Sequence, residues 1–453
     1  MKVSKFNVAV KLDDNILLYN TFSTSLVELN CSMYNDIFNE NKFDDYEESK
    51  VLYEMGYLID DNFDELAHME ELRQDVINNS SEKIANIIIA PTLECNAHCF
   101  YCFENGFRKG RMDKSTADKL VEFLVNNWNG DELGITWFGG EPLLEIDTID
   151  YIIDGLIKNK VNYASKITTN GSLLDEVTIN HIKDKWNIDK IQVTIDAIGA
   201  EYNKIKSYDC SINNPFDKVI DNIKIALGAG LKIKIRINFD PKKQNVALDT
   251  FNYLTNCFKD SKDLKIYFAP IDEDDEKVRN ITNTFDECEE HPYISLIKFG
   301  RKNGLYRGFP DMEDIDEETV GLDYRGLLKK LKIYPSVTNC YASCPNVYSI
   351  GPNGEIYKCH RVLGRKEFAS GDIFNGIEKN KAYSFFCNTE LTYDECENCA
   401  VLPICQGGCK VNAKIYSRTT ACVPSKAIIK DLILLYKQDL SNLLKGGDEY
   451  EDS

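Results

Sequence analysis

The sequence predicts an α/β protein with a central parallel βα array, an α+β unit before it and a cysteine-rich domain after it. Three observations carry this. Six apolar, β-branched runs alternate with amphipathic stretches between residues 84 and 271. Residues 1–85 follow another pattern, two apolar runs around a polar turn and then helical spacing. Nine of the sixteen cysteines fall between 340 and 422, and all but Cys387 stand in spaced groups.

At 453 residues the chain is too long for one ordinary core. Its 43% hydrophobic and 11% aromatic content is that of a folded protein. A net charge of −20, offset by no basic block, argues against a nucleic-acid partner and suits a dispersed acidic protein. The opening MKVSKFNVAVKLDDN lacks the apolar core of a signal peptide, and no stretch approaches 18 uninterrupted apolar residues. A cytoplasmic location without membrane contact is expected. In a reducing compartment, cysteines in spaced groups read as ligands or nucleophiles rather than disulfides.

In the N-terminal unit, KFNVAVKLDDNILLYN reads as a hairpin and STSLVELN as a third strand. SMYNDIFNE, YEESKVLYEMGYLI and DNFDELAHMEELRQDVINNSSEK have helical spacing. The array (86–272) has strands at IANIIIAP (84–91), GITWF (134–138), SKITT (165–169), KIQVTID (190–196), LKIKIRINF (231–239) and LKIYFAPI (264–271). It is either open or barrel-like, with chemistry expected at the C-terminal strand ends. A charged bridge (273–335) leads to the cysteine-rich domain (336–430). One amphipathic helix and an acidic tail close the chain (431–453).

LECNAHCFYCFE (93–104) places Cys95, Cys99 and Cys102 just past the first strand. Three thiolates suit an iron–sulfur cubane with one iron lacking a protein ligand, and equally an incomplete zinc site. This Cys-x3-Cys-x2-Cys, with Tyr101 before the last cysteine, resembles the radical S-adenosylmethionine (SAM) superfamily. The resemblance implies a partial (β/α)6 TIM-like barrel and a [4Fe-4S] cluster whose open iron chelates SAM. Reductive cleavage of SAM would yield a 5′-deoxyadenosyl radical that abstracts hydrogen from a substrate. It also implies that Gly139, Gly140, Glu141 and Pro142 of WFGGEP contact the methionine ammonium. Read alone, that stretch is a strand–helix turn. Asn170 of TTNG lies at a polar turn after the third strand. Thr194 matches the position that contacts the SAM ribose. Lys206 stands where the family has an Arg for the SAM carboxylate, a departure that removes the bidentate fork.

Farther along stand Cys344-x9-Gly354-x4-Cys359, Cys396-x2-Cys399-x5-Cys405-x3-Cys409 and Cys422. These seven cysteines match the SPASM extension of radical SAM enzymes, which implies two auxiliary [4Fe-4S] clusters and three clusters in all. By that analogy Cys340, Cys344, Cys359 and Cys409 hold one, and Cys396, Cys399, Cys405 and Cys422 the other. Without Cys340 the first keeps an open iron. Read without the analogy, the same cysteines suit two zinc sites.

SPASM enzymes mostly modify peptides. The implied function is a radical SAM oxidoreductase that installs thioether or carbon–carbon crosslinks in a ribosomally made precursor peptide, served by an external electron donor such as flavodoxin or ferredoxin. Sulfatase maturation to formylglycine is the alternative, and a non-enzymatic electron carrier is a third. Sulfatase maturases place a basic Asp after the cysteine of the Gly-x4-Cys element. Here that residue is His360, a candidate base or a surface residue beside a cluster. The N-terminal unit resembles a leader-recognition module, whose use would be a strand edge that pairs with an extended leader. A packing extension without a ligand is the plain alternative.

Overall fold

The computed structural model describes residues 1–271 apart from 82, 108, 129, 241 and 242, then 294, 295, 328, 334–337, 340–388, 394–415, 426 and 428–447. The expected bridge at 273–335 falls almost wholly outside these, as does Cys422. The chain divides into two compact units that are not collinear with it. One comprises Met1–Asn79, Tyr293–Cys340 and Thr389–Ser453. The other comprises Ser80–Pro292 and Tyr341–Asn388.

The first unit is built on an antiparallel sheet of β2 (Asn7–Leu12), β3 (Asn15–Asn20) and β4 (Leu26–Asn30), in that order. The β2–β3 turn is the expected hairpin. It holds two residues, and Asp13 takes the positive φ of 52° that such a turn demands. β1 (Lys2–Val3) pairs with β5 (Leu58–Ile59). Leu58–Ile59 was expected within a helix. The helix instead ends at Glu54, and Gly56, at φ 82°, reverses the chain into a strand. Asn20 locks this corner: its amide donates to Asn7 Oδ1 and the Gly56 carbonyl, each at 2.9 Å, and its Oδ1 accepts from Phe22 N at 3.0 Å and Ser23 N at 2.9 Å. A buried amide with every donor and acceptor used costs nothing in lost hydration.

The helix Ile429–Gly447 seats Leu432, Ile433 and Tyr436 against Val8, Val10, Leu17 and Tyr19. The Tyr19 and Tyr436 rings meet edge to face at 6.2 Å. Both chain ends thus share one core, which also takes in Val401 and Cys405.

The second unit carries six parallel strands: β6 (Asn86–Ile89), β7 (Leu133–Trp137), β8 (Tyr163–Thr169), β9 (Ile188–Thr194), β10 (Lys232–Phe239) and β11 (Leu264–Pro270), each hydrogen-bonded to the next. They lie where the sequence placed them, in the partial (β/α)6 arrangement. Leu133, Ile135 and Trp137 alternate inward along β7. The helix Ile146–Lys158 buries Ile149, Ile152, Ile153 and Leu156, one stripe of a 3.6-residue period. Its Gly155 admits Val121 of helix Lys114–Asn127, whose Cγ2 would stand 2.7 Å from an added Cβ.

At the β6 edge the sheet continues into residues 341–388. β12 (Val347–Ile350) runs parallel to β6, with Val347 opposite Asn86, and is followed by antiparallel β13 (Glu355–Tyr357), β14 (Ala369–Asp372) and β15 (Gly376–Ile377). No helix among the described residues is long and apolar enough to cross a membrane.

Leu432 is fully buried on the N-terminal sheet. Leu432→Ala should therefore cost about 2–5 kcal/mol, through lost contact plus the cavity left behind. A urea titration followed by far-UV circular dichroism reads this; an unmoved midpoint would mean that the helix contributes nothing to that core.

Candidate functional site

Beyond β6 the chain opens into the loop that bears Cys95, Cys99 and Cys102. Hydrogen bonds pin it from several sides. Thr92 Oγ1 donates to the Gly110 carbonyl at 2.9 Å, Asn96 Nδ2 to Ser172 Oγ at 3.0 Å and His98 N to the Lys206 carbonyl at 2.8 Å. Arg111 joins Glu94, at 2.8 Å, to Glu145, at 2.9 Å. Asn170 Nδ2 donates to Asn96 Oδ1 at 2.7 Å and faces Cys95 Sγ at 3.9 Å.

Gly139 and Gly140 follow β7 and lie directly on this loop. A Cβ at Gly139 would stand 2.2 Å from the Thr92 carbonyl oxygen, and one at Gly140 would stand 2.1 Å from that of Glu94. Gly139 also takes a φ of 120°. With no side chain between them, the two backbones bond directly: Gly140 N donates to the Thr92 carbonyl at 3.1 Å and Glu141 N to the Glu94 carbonyl at 2.8 Å. Pro142 then starts a short 3-10 turn capped by Glu141.

The Glu141 carboxylate is wholly buried. It accepts from Thr169 Oγ1 at 2.7 Å, Asn170 N at 2.7 Å and Leu143 N at 3.1 Å. Burial pushes its pKa from 4.5 up to about 7, against the pull of these donors. A buried carboxylate so placed is stabilised in its charged form by an incoming cation, which is the chemistry required to hold an ammonium group.

A second polar cluster ties the cysteine loop to the ends of β9 and β10. Lys206 Nζ lies 2.8 Å from Asp196 Oδ2, and both side chains are buried. The Tyr101 hydroxyl donates to Asp196 Oδ2 at 2.6 Å and accepts from Lys206 Nζ at 3.0 Å and Asn238 Nδ2 at 3.1 Å. Burial lowers the lysine's pKa, but Asp196 and the nearby tyrosines hold it well above its ordinary value. Lys206 thus meets a carboxylate of its own chain. Thr194 ends β9, opposite Arg236 of β10. Asp196 and Asn238 were not among the residues expected from sequence. The inward alternation of β10, which brings Arg236 and Asn238 to one face, was the available signal.

His360 sits in a ring of aromatics. It stacks on Tyr341 with 5.8 Å between centroids and meets the edges of Phe138 at 4.7 Å and Phe103 at 5.9 Å. Its Nδ1 is bonded to the Tyr341 hydroxyl, which also accepts from His360 N at 2.9 Å. Burial, then the charges of Arg361 and Arg236, bring its pKa down to about 3. In this arrangement the imidazole is held in its neutral form with Nδ1 engaged by Tyr341.

The second set of cysteines divides between the units. Cys344 lies just before β12 and Cys359 just after β13, so antiparallel pairing brings them to one end of the hairpin. The Tyr341 hydroxyl stands 3.8 Å from Cys359 Sγ. In the first unit, Cys396 and Cys399 flank a turn closed by Cys399 N to the Cys396 carbonyl, at 3.1 Å. Between Cys405 and Cys409, three successive residues, Gln406, Gly407 and Gly408, have positive φ values of 52°, 81° and 76°. Within this run Gln406 N donates to the Leu402 carbonyl at 2.7 Å and Gly408 N to the Cys405 carbonyl at 2.9 Å, so the turn is closed on itself. Cys340 is exposed and belongs to the first unit.

Among the described residues no three Cys, His, Asp or Glu side chains converge as ligands of one metal ion do. Thiolates around a cubane bind different irons and need not converge. Soft thiolates on a pinned loop, a glycine cradle that a Cβ would fill and a buried carboxylate beside it fit a cubane with a bound amino acid moiety.

Two outcomes follow from the cradle. Gly140→Ala should cost about 1–3 kcal/mol through the clash with Glu94 and lower the iron retained by the cysteine loop, measured by iron analysis on folded protein. Glu141 has a folded pKa above its unfolded one. Its contribution to stability is therefore whole below pH 4.5 and lost as pH rises through about 7. In cluster-free protein, Glu141→Gln should remove that slope from the pH–stability curve; parallel curves for the two proteins would show that the carboxyl ionises normally.

The radical SAM superfamily pattern matches residues 89–247. The chain is 24% identical to the radical SAM cyclopropyl synthase TigE of Paramaledivibacter caminithermalis over 95% of each chain. It is 34% identical to the uncharacterized protein MJ0907 of Methanocaldococcus jannaschii, over 67% of this chain and 94% of that one. It is 23% identical to the cysteine-type anaerobic sulfatase-maturating enzyme of Clostridium perfringens, over 72% of this chain and 88% of that one. The fold resembles that of Streptococcus suis SuiB bound to its precursor peptide SuiA, with a TM-score of 0.53 at 15% identity, over 93% of this chain and 97% of that one. With its cysteine loop, glycine cradle and six-stranded array, the chain belongs to the radical SAM superfamily of enzymes.

Proposed function

We propose that this enzyme is a peptide maturase that abstracts hydrogen from a ribosomally made precursor and installs a carbon–carbon or thioether bond. The observation that carries the reading is the N-terminal α+β unit, whose sheet, among the described residues, ends on strand β4 with β3 on one side only. An extended leader peptide can add to such an edge. TigE and SuiB correspond to 95% and 93% of this chain, but the sulfatase-maturating enzyme to 72%. Formylglycine formation is the second reading. It is favoured by that same relative, while His360, where an acidic base is implied, counts against it.

Cys95, Cys99 and Cys102 would hold the SAM-binding cluster, and the other cysteine groups two auxiliary clusters. When bound, cluster and SAM together supply a 5′-deoxyadenosyl radical by one-electron reduction, the electron coming from a donor such as flavodoxin or ferredoxin. Glu141, with Gly139 and Gly140 beside it, would receive the SAM ammonium, Thr194 would meet the SAM ribose, and Asn170 stands at the polar turn after the third strand. We assign Lys206 to holding Asp196 and Tyr101, since its ammonium already has a carboxylate partner. Phe103, Phe138, Tyr341 and His360 form an apolar wall that keeps water away from a reactive carbon centre.

The test is anaerobic incubation with SAM, a reductant and a precursor peptide encoded beside the gene, read by mass spectrometry. Loss of two hydrogens per site supports the reading; conversion of a sulfatase-derived cysteine peptide instead supports the second. Cys99→Ala should abolish 5′-deoxyadenosine formation. Cys405→Ala should leave uncoupled SAM cleavage without peptide product.

A further inference from the structure

Lys358 lies between Tyr357 and Cys359 and is fully buried. Taking an ammonium out of water costs several kcal/mol unless its surroundings compensate. Its Nζ donates to three main-chain carbonyl oxygens: Val347 at 2.6 Å, Cys344 at 2.7 Å and Pro345 at 3.3 Å. The same ammonium lies over the ring faces of Tyr348, at 4.1 Å, and Tyr383, at 5.3 Å. One side chain therefore spans from the neighbour of Cys359 to the carbonyl of Cys344 and closes the open end of the β12–β13 hairpin.

We propose that Lys358 is the positioning residue of an auxiliary iron–sulfur site, a role distinct from that of any ligand. This rests on the reading above that Cys344 and Cys359 are ligands of one cluster. Two consequences follow from the geometry. The three carbonyl bonds hold the Cys344 backbone in place relative to Cys359, so the two thiolates are presented together before iron arrives. The buried positive charge then lies beside a cluster whose thiolates leave it net negative. An added electron increases that negative charge, and a fixed cation nearby favours it, so the cluster is easier to reduce. The rings of Tyr348 and Tyr383 shield the charge from water and keep its effect long-range.

The experiment uses the full chain, reconstituted anaerobically with iron and sulfide, in four forms: wild type, Lys358→Gln, Lys358→Arg and Cys359→Ala. Iron content and a redox titration followed by electron paramagnetic resonance are measured on each. Lys358→Gln should move the midpoint of one auxiliary signal to more negative potential and leave the signal of the SAM-binding cluster in place. Lys358→Arg, which keeps the charge, should stay near the wild-type midpoint. A Lys358→Gln midpoint equal to the wild type, or a Lys358→Arg shift as large as that of Gln, overturns the proposal. If Lys358→Gln fails to fold, Lys358→Met removes the charge in its place, with the same negative shift expected and an unshifted midpoint overturning the proposal. Cys359→Ala separates the two levels of the argument. If its iron content and spectra match the wild type, the ligand reading itself fails. If it loses one signal while Lys358→Gln changes nothing, the ligand reading stands and the role given to Lys358 fails.

Discussion

The site depends on a contact made by the absence of side chains. Gly139 and Gly140 bring the end of β7 against the main chain of Thr92–Glu94, at distances that no Cβ can occupy. Two backbone hydrogen bonds then join the cysteine loop to the second strand of the array. Glu141 follows directly, and its carboxylate is carried inward to Thr169 and Asn170 at the end of the third strand. One short stretch thereby registers three strand ends with the loop that bears the three cysteines. A loop held this way loses little entropy when a cluster binds, because its backbone is already fixed.

Lys206 and Lys358, two of the buried cations beside the cysteines, solve the same electrostatic problem differently. Lys206 is paired with Asp196 and shares the Tyr101 hydroxyl, so the charge near the first cysteine loop is neutralised and serves geometry. Lys358 is held by carbonyl dipoles and ring faces, so its positive field extends to its neighbours. Thiolate sites are negative in both states of a cluster, and the sign and balance of nearby charge tune how readily each accepts an electron. On the proposal that both cysteine sites hold clusters, a neutralised lysine at one and a dipole-solvated lysine at the other would be a physical means of separating their potentials.

The six parallel strands were legible because each is a short β-branched run bounded by turn residues, and the spacing between runs leaves room for one helix. The cysteine groups were legible because their spacing is rigid in sequence. Leu58–Ile59 was not. Its apolar spacing continues the preceding helix, and only the turn at Gly56 and the pairing with Lys2–Val3 make it a strand. His360 was visible as a residue type but not as an environment. Burial among Phe103, Phe138 and Tyr341, which are 19 or more positions away, takes it out of the neutral range.

The sequence by itself determined the six parallel strands and the position of the glycine cradle, because each depends on residues near one another along the chain. Tertiary structure alone decided which charges meet. Lys206 faces Asp196, the Tyr101 hydroxyl bridges them, and Lys358 reaches back to Cys344. It also decided that the first strands and the last helix share a core. These outcomes depend on burial and on contacts between distant segments. A side chain's charge, basicity and partner are set by what surrounds it in space, and local pattern carries no record of that.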